Sequence, residues 1–476
     1  MRLKKLFAAV PAIALAAGLG ACDNGLTDLN GNPNAPEEVP PANLLANAIV
    51  TSAGSDYGSH GVWYGLYLTN IWSQQAAQVK YNDEDRYTPR PAQLSGVWNN
   101  FYAGPLRDLA QVKKYAVDAG PGADNLAAVA EILSQMNFQY LTDTYGDVPY
   151  SQALLLDSGV TSPKYDAQKD VYYGMLARLT AASAALEPGE NTGGWASGDV
   201  LYDGDVQHWR KFANSLRMRM AMRLSEADPV KARAEFVAAY TAGGFTSNAD
   251  NAVIRWSGEQ PSQNPLYDYY YNQDRYDFVI SAAMVDSMAS LHDPRLPIYA
   301  DVAKDDTYRG LKNGSLPADF GKNVPDYSSI GEYFLAADAP SVLQSYAEVL
   351  FLQAEAAARG WIAADAEALY RAGVRASLEQ YGIGSSEAQA YAASLPYNGR
   401  PSIAFQKWLA LYMNGPEGWA EVRRTGYPLL TPARGAQLPT RLIYPNEEQI
   451  VNNANWQSAV TASGGTSVFD KVWWDR

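Results

Sequence analysis

SVLQSYAEVLFLQAEAAARGW, from Ser341 to Trp361, is the stretch on which the fold class turns. Between Ser341 and Arg359 the side chains Tyr346, Leu350, Ala354 and Ala357 recur every three or four residues, the period of one buried helical face. Gly360 interrupts the run, and Ala363 to Tyr381 resumes it with Leu369, Tyr370, Val374 and Leu378 as an answering stripe. The spacing predicts an antiparallel helix pair, with alanines that let the two backbones approach closely.

The same period recurs towards the N-terminus. Asp205 to Ser225 places Trp209, Phe212, Leu216, Met220 and Leu224 on one face, with Arg217, Arg219 and Arg223 between them. Asp166 to Leu186 repeats it with Val171, Met175, Leu179 and Ala182, and Pro188-Gly189 ends the run. Leu126 to Tyr140 reads as a further helix. The helix–turn–helix unit of the opening stretch is close to the ~34 residues of a tetratricopeptide repeat. The expected architecture is mainly α: a single-domain α-α superhelical scaffold of tetratricopeptide-like helix pairs with long aromatic loops and minor β. Short strands are expected at Ala252 to Trp256 and Arg441 to Tyr444.

The chain has 476 residues, 47% hydrophobic and 18% charged, which excludes a disordered chain or a coiled coil. Its formal charge of −14 repels phosphate backbones, so nucleic acid is not an expected partner. Arg2, Lys4 and Lys5 precede an apolar run, Leu6 to Gly20, that is shorter than the about 20 residues of a membrane span. That run ends at Leu19-Gly20-Ala21-Cys22, which looks like a lipobox. Residues 1–21 are therefore expected to be a lipoprotein signal peptide, with Cys22 carrying the lipid and residues 22–41 a tether rich in Asn and Pro. Residues 42–476 form the domain. Cys22 is the sole cysteine, so no intramolecular disulfide is possible, and three histidines make a His-based metal site or triad a poor expectation.

Long aromatic segments lie between the helices: Trp63 to Trp98, Trp256 to Phe278 and Tyr308 to Phe334. Loops of this length are usually functional. Tyr and Trp offer flat apolar faces for sugar rings or apolar side chains, while neighbouring amides bond to hydroxyls. Trp72 is followed by Gln74, Gln75 and Gln78, and the second segment crowds Tyr267, Tyr269, Tyr270, Tyr271 and Tyr276 around Asn264, Asn272 and Gln273. Trp72, Tyr81, Trp256, Tyr267 and Tyr270 are the expected ligand contacts. Trp98, Trp209, Trp361 and Trp419 fit helical faces and are expected to be structural.

Other chemistry finds less support. Asp143 and Asp147 flank Tyr145-Gly146, and paired carboxylates are what a glycosidase needs, but turn-bonding acids are the simpler expectation. Asp83-Glu84-Asp85 lacks the alternating spacing of a calcium loop and reads as a solvated acidic loop. Arg217, Arg219, Arg223, Arg423 and Arg424 lie on apolar helices, where carboxylate pairing that fixes helix ends is expected. No phosphate loop, nucleophile elbow or metal-ligand spacing is present, so no cofactor or metal is expected.

Seven segments, taken in order, resemble the SusD/RagB family of outer-membrane nutrient-binding lipoproteins, in its SusD-like branch. They are DLNGNPN from Asp28, LTDTYGDVPYSQAL from Leu141, GDVQHWRKFANSLRMRMAMR from Gly204, HDPRLPIYA from His292, the opening stretch, EGWAEVRRTGYP from Glu417 and RLIYPNEEQIVNN from Arg441. The aromatic loops match least. The resemblance implies a non-catalytic, lipid-anchored protein at the cell surface. It would bind oligomeric nutrients, glycan in preference to peptide, and deliver them to a SusC-like TonB-dependent outer-membrane transporter. Two other functions remain open at this point: a secreted helical glycoside hydrolase working through Asp143 and Asp147, and a periplasmic repeat scaffold that binds proteins.

Overall fold

The computed structural model describes residues 39–117, 122–189, 194–315 and 326–476. Pro41–Arg476 is one compact unit. The signal peptide, Cys22 and nearly all of the tether lie outside the described residues. The longer helices are α1 Pro41–Gly54, α2 Pro91–Phe101, α3 Arg107–Ala116, α4 Ala123–Tyr145, α5 Gln168–Ala185, α6 Val206–Arg223 and α7 Pro229–Ala242. They continue with α8 Ala282–Ser290, α9 Tyr346–Ala358, α10 Ala366–Gln380, α11 Ser385–Ser394, α12 Arg400–Ala410, α13 Gly415–Thr425 and α14 Asn453–Ser463. Among the described residues the strands are β1 Ala76–Gln78, β2 Ala252–Ile254, β3 Phe278–Ile280 and β4 Ser341–Gln344.

Caps set the helix boundaries. The Asp205 carboxylate accepts from the backbone N–H of Gln207 at 2.8 Å and starts α6, and Asp365 does the same for Glu367 at 2.9 Å to start α10. Ser345 Oγ accepts from the N–H of Glu348 at 3.1 Å, so α9 begins at Tyr346. Residues 341–344, expected to be helical, instead form β4, which pairs antiparallel with β2. The helical stripe there was carried by residues C-terminal to Ser345. The expected strand at Arg441–Tyr444 does not form: Leu442 N–H donates to Thr144 O at 2.8 Å and Thr440 N–H to Val468 O at 2.7 Å, carbonyls of two separate segments.

The α9–α10 pair packs as the stripes foretold, with Leu350, Phe351, Ala354, Tyr370, Val374 and Leu378 buried in one cluster. The close approach comes from Gly373 as well as from alanines. A Cβ there would sit 2.9 Å from the Phe351 ring.

Arg217, Arg219 and Arg223 of α6 and Arg424 of α13 pair with carboxylates, but they bridge helices rather than fix helix ends, and Arg423 of α13 donates to the backbone carbonyls of Asp143 and Thr440 instead. Arg219 joins Glu348 of α9 at 2.6 Å, Arg223 joins Glu417 of α13 at 2.6 Å, and Arg424 joins Glu355 of α9 at 2.5 Å. Trp209, Trp419 and Trp98 are buried in the main core, and Trp361 packs half-buried against Phe236 and Arg359. All four are structural, as their spacing foretold.

Candidate functional site

A three-residue ladder brings the two aromatic segments together. β1 pairs antiparallel with β3, Ala76 opposite Ile280 and Gln78 opposite Phe278. Beside it the π-helical turn Val62–Asn70 presents Tyr67, whose hydroxyl lies 2.9 Å from that of Tyr269. Both hydroxyls donate to Asp277 Oδ2, at 3.0 Å and 2.5 Å. Burial above all pushes both phenols up in pKa, so they stay protonated and keep donating at neutral pH. Arg275 Nε donates to the same carboxylate at 3.0 Å, and Lys80 Nζ stands 3.9 Å from it.

Around this anchor lie rings that reach solvent. Trp63, half-buried, stacks on Tyr67 with centroids 4.5 Å apart and on Tyr57 at 6.4 Å. The Arg90 guanidinium lies 5.5 Å from the Trp63 ring and is held by Glu84 at 2.9 Å. Arg275 lies 4.9 Å from the Tyr269 ring and 5.7 Å from that of Tyr81. Tyr81 itself is 61% exposed. Tyr267 pairs with the exposed Tyr271 at 5.0 Å, and Tyr271 donates to Glu332 at 2.8 Å.

The loop that carries Tyr81 is strained and stapled. Gln74, Tyr81 and Tyr87 all have positive φ, 53°, 50° and 67°, a region side chains other than glycine enter at a cost of about 1–3 kcal/mol. The staples hold them there. Trp72 Nε1 donates to Glu84 O at 2.9 Å, Gln78 Nε2 to Glu84 at 3.1 Å, and Asn313 Nδ2 to Asp85 at 2.7 Å. Glu84 and Asp85 are therefore buried, and the expectation of a solvated acidic loop holds for Asp83 alone. A rigid loop presents its ring without the ordering cost of a floppy one.

The five expected contacts divide. Trp72 is fully buried against Trp419, its indole N–H spent on Glu84. Trp256 is buried beneath α1, and its N–H donates to Ser341 Oγ at 3.1 Å. Tyr270 is buried, and its hydroxyl donates to Phe278 O at 3.1 Å. These three are core and are withdrawn as ligand contacts, because no ring face remains open. Tyr81 and Tyr267 stand at the surface. The amides Gln74, Gln75 and Gln78 are buried too; Gln75 donates to Trp408 O at 2.8 Å.

Sequence reasoning passed over Trp63, Tyr57, Arg90 and Arg275. Arg275 over Tyr81 crosses between the two segments, a contact that exists only once β1 and β3 pair, whereas Arg90 meets Trp63 within the first. The choice within residues 267–271 had no local signal, since Tyr270 and Tyr271, three and four residues on, are both helical neighbours of Tyr267.

The candidate glycosidase acids are structural. Asp143 is buried, accepts from Tyr172 and lies 3.3 Å from Arg223 Nε. Asp147 accepts from the Gln168 N–H at 2.9 Å where α5 begins. Burial raises both carboxyls, and both are committed to these internal bonds. Arg423 lies over Trp419 at 3.6 Å and donates to Asp143 O at 2.8 Å. Among the described residues no group of three or more His, Cys, Asp or Glu could hold a metal ion, and no helix is long and apolar enough to cross a membrane.

Residues 33–445 match the family model SusD-like_2, described as starch-binding associating with outer membrane. Among solved structures, a chitin-binding protein is 30% identical with a TM-score of 0.82, covering 92% of this chain and 100% of its own. A chitin-binding SusD homologue from Flavobacterium johnsoniae is 25% identical with a TM-score of 0.79, covering 92% of this chain and 98% of its own. A SusD homologue from Bacteroides uniformis is also 25% identical, with a TM-score of 0.79 over 92% of this chain and 100% of its own. Comparison with curated proteins gives no match.

Proposed function

We propose that this chain, which belongs to the SusD-like family of non-catalytic, outer-membrane-associated glycan-binding proteins, takes up a neutral N-acetylated glycan of the chitin type on the Tyr81 platform. The observation that carries the reading is the Tyr81 ring, 61% exposed on a loop whose staples are buried. An open phenol face stacks on the C–H face of a pyranose, and the guanidiniums of Arg90 and Arg275 supply donors for hydroxyl and acetamido oxygens. Charge argues for a neutral ligand. Glu84 offsets Arg90, and Asp277 offsets Arg275, while the whole chain is acidic. The chitin class is supported by two of the relatives, which are chitin-binding proteins.

The protein is anchored through lipid on Cys22, exposed at the cell surface, and partnered with a SusC-like TonB-dependent transporter that receives the glycan. Calorimetric titration with chitohexaose, maltohexaose and a peptide pool tests the ligand. Binding of chitohexaose, weakened in Tyr81→Ala, is expected. Binding of the peptide pool alone would replace glycan by peptide. Radiolabelled fatty acid should enter the wild type and not Cys22→Ser, and gentle solubilisation followed by affinity capture should recover the barrel. Equal labelling of both proteins ends the anchor assignment, and reproducible absence of the barrel ends the partner assignment.

A further inference from the structure

A groove of about 370 Å³ opens between α8 and the loop Pro428–Thr431. Its volume falls in the range of roughly 300–1,000 Å³ usual for small-molecule clefts. The floor is built from residues that flank β1 and the Tyr81 loop. Gln74, two residues before β1, donates from Nε2 to Thr431 O at 2.6 Å and ties the loop down. Asn313 donates from Nδ2 to Ala76 O at 2.9 Å and to Asp85 Oδ1 at 2.7 Å. Asn82 Nδ2, beside Tyr81, donates to Ser315 O at 3.3 Å. The turn at residues 312–315 thus bonds to the Tyr81 loop and to β1 and also lines the groove.

The lining is amphipathic. Ala282 and Ala283 keep one wall low, and Leu429, 85% exposed, stands at the other. No other large hydrophobic side chain among the described residues is as exposed. Lys312 and Asp286 are exposed along the polar side and enter no ion pair among the described residues. An apolar wall facing free donors and acceptors matches a sugar ring, which has C–H faces and a hydroxyl rim. A purely apolar ligand would leave the polar side unsatisfied, and an anionic polymer would meet Asp286.

We infer that this groove is a second saccharide subsite, which holds the continuation of a neutral oligosaccharide whose other end stacks on Tyr81. The inference rests on the glycan reading proposed above. It makes affinity depend on chain length: a trisaccharide is held by the platform alone, whereas a hexasaccharide crosses the 312–315 turn and gains the groove.

The test is calorimetric titration of chitotriose, chitohexaose, maltotriose and maltohexaose into wild type, Tyr81→Ala, Ala283→Trp and Leu429→Ser. Ala283→Trp fills the groove, and Leu429→Ser, at a side chain in water, leaves folding untouched. With whichever series binds, the groove variants should weaken the hexasaccharide about tenfold and threefold respectively and leave the trisaccharide unchanged, while Tyr81→Ala weakens both lengths. Groove variants that bind the hexasaccharide as wild type does overturn the subsite and leave the platform standing. A wild type that binds none of the four sugars overturns the glycan reading and the subsite together.

Discussion

Two sets of arginines divide this molecule by what surrounds them. Arg219, Arg223 and Arg424 are buried at the junction of α6, α9 and α13, each paired with a buried glutamate. Arg90 and Arg275 also have carboxylate partners, yet they lie at the edge of water with aromatic rings alongside. The chemistry is the same and burial separates the roles. An ion pair removed from water locks helices together, because losing one partner strands a charge. An ion pair at the rim leaves guanidinium N–H groups and ring faces open to a ligand.

The largest effect that tests this division is on stability. Glu417 accepts from Arg223 at 2.6 Å and from Gln139 at 3.1 Å, and lies 3.7 Å from Arg219. Burial pushes its carboxyl up, but Arg219 and Arg223 outweigh that and hold it below the usual carboxylate range. Glu417→Ala should lower unfolding free energy by roughly 3–5 kcal/mol in denaturant melts, since the buried Arg223 guanidinium loses its shortest carboxylate contact and Arg219 keeps only Glu348. Ligand affinity of the protein that remains folded should not change. A loss under about 1 kcal/mol, the value of a surface pair, would erase the distinction between the two sets.

The next effect reverses the readouts. Tyr81→Ala should cost on the order of 2 kcal/mol of binding, about thirtyfold in affinity, with little change in melting temperature. Trp72→Ala, in the same sequence segment, should instead cost about 3–5 kcal/mol of stability through the cavity it leaves. If Tyr81→Ala melts early and binds normally, the exposed ring is a packing element and the platform is misassigned.

The same contrast explains what the sequence made legible. Helical periodicity reports burial directly, so the faces of α6, α9 and α10 and the structural role of Trp209 could be read from spacing. The family resemblance, carried by motifs such as Gly204–Arg223, could also be read. Burial inside an aperiodic loop has no such signature. Trp72 and Tyr81 belong to one Gln- and Tyr-rich segment, and what sinks the first and exposes the second is a set of long-range bonds. Trp72 is pinned by Glu84, Asp85 by Asn313, and Tyr67 and Tyr269 meet on Asp277 from positions some two hundred residues apart. β1 and β3, three residues each, are too short to announce themselves as strands, and their pairing creates the site.

The smallest expected effect is a pH dependence at Asp85, where burial and surface meet. Asp85 is fully buried beneath the exposed Tyr81 loop and accepts from the Gly314 N–H at 2.8 Å and Asn313 Nδ2 at 2.7 Å. Burial pushes its carboxyl up from 3.8 to about 6; those hydrogen bonds lower it, and the neighbouring Glu84 adds a smaller upward push. Because the folded value lies above the unfolded one, the native state holds the proton more tightly. The resulting stabilisation is complete below about pH 4 and is lost as pH rises through about 6. Relative to Asp85→Asn, which cannot titrate, the wild type should therefore gain about 1 kcal/mol of stability when pH falls from 7 to 5. Asp475, also raised to about 6 by burial, titrates in the same window in both proteins and cancels from the difference. Urea melts of the pair at pH 5, 6 and 7 measure it. A difference that stays constant across the three would mean that Asp85 is already solvated in the folded protein, and that the loop beneath Tyr81 is looser than its bonds imply.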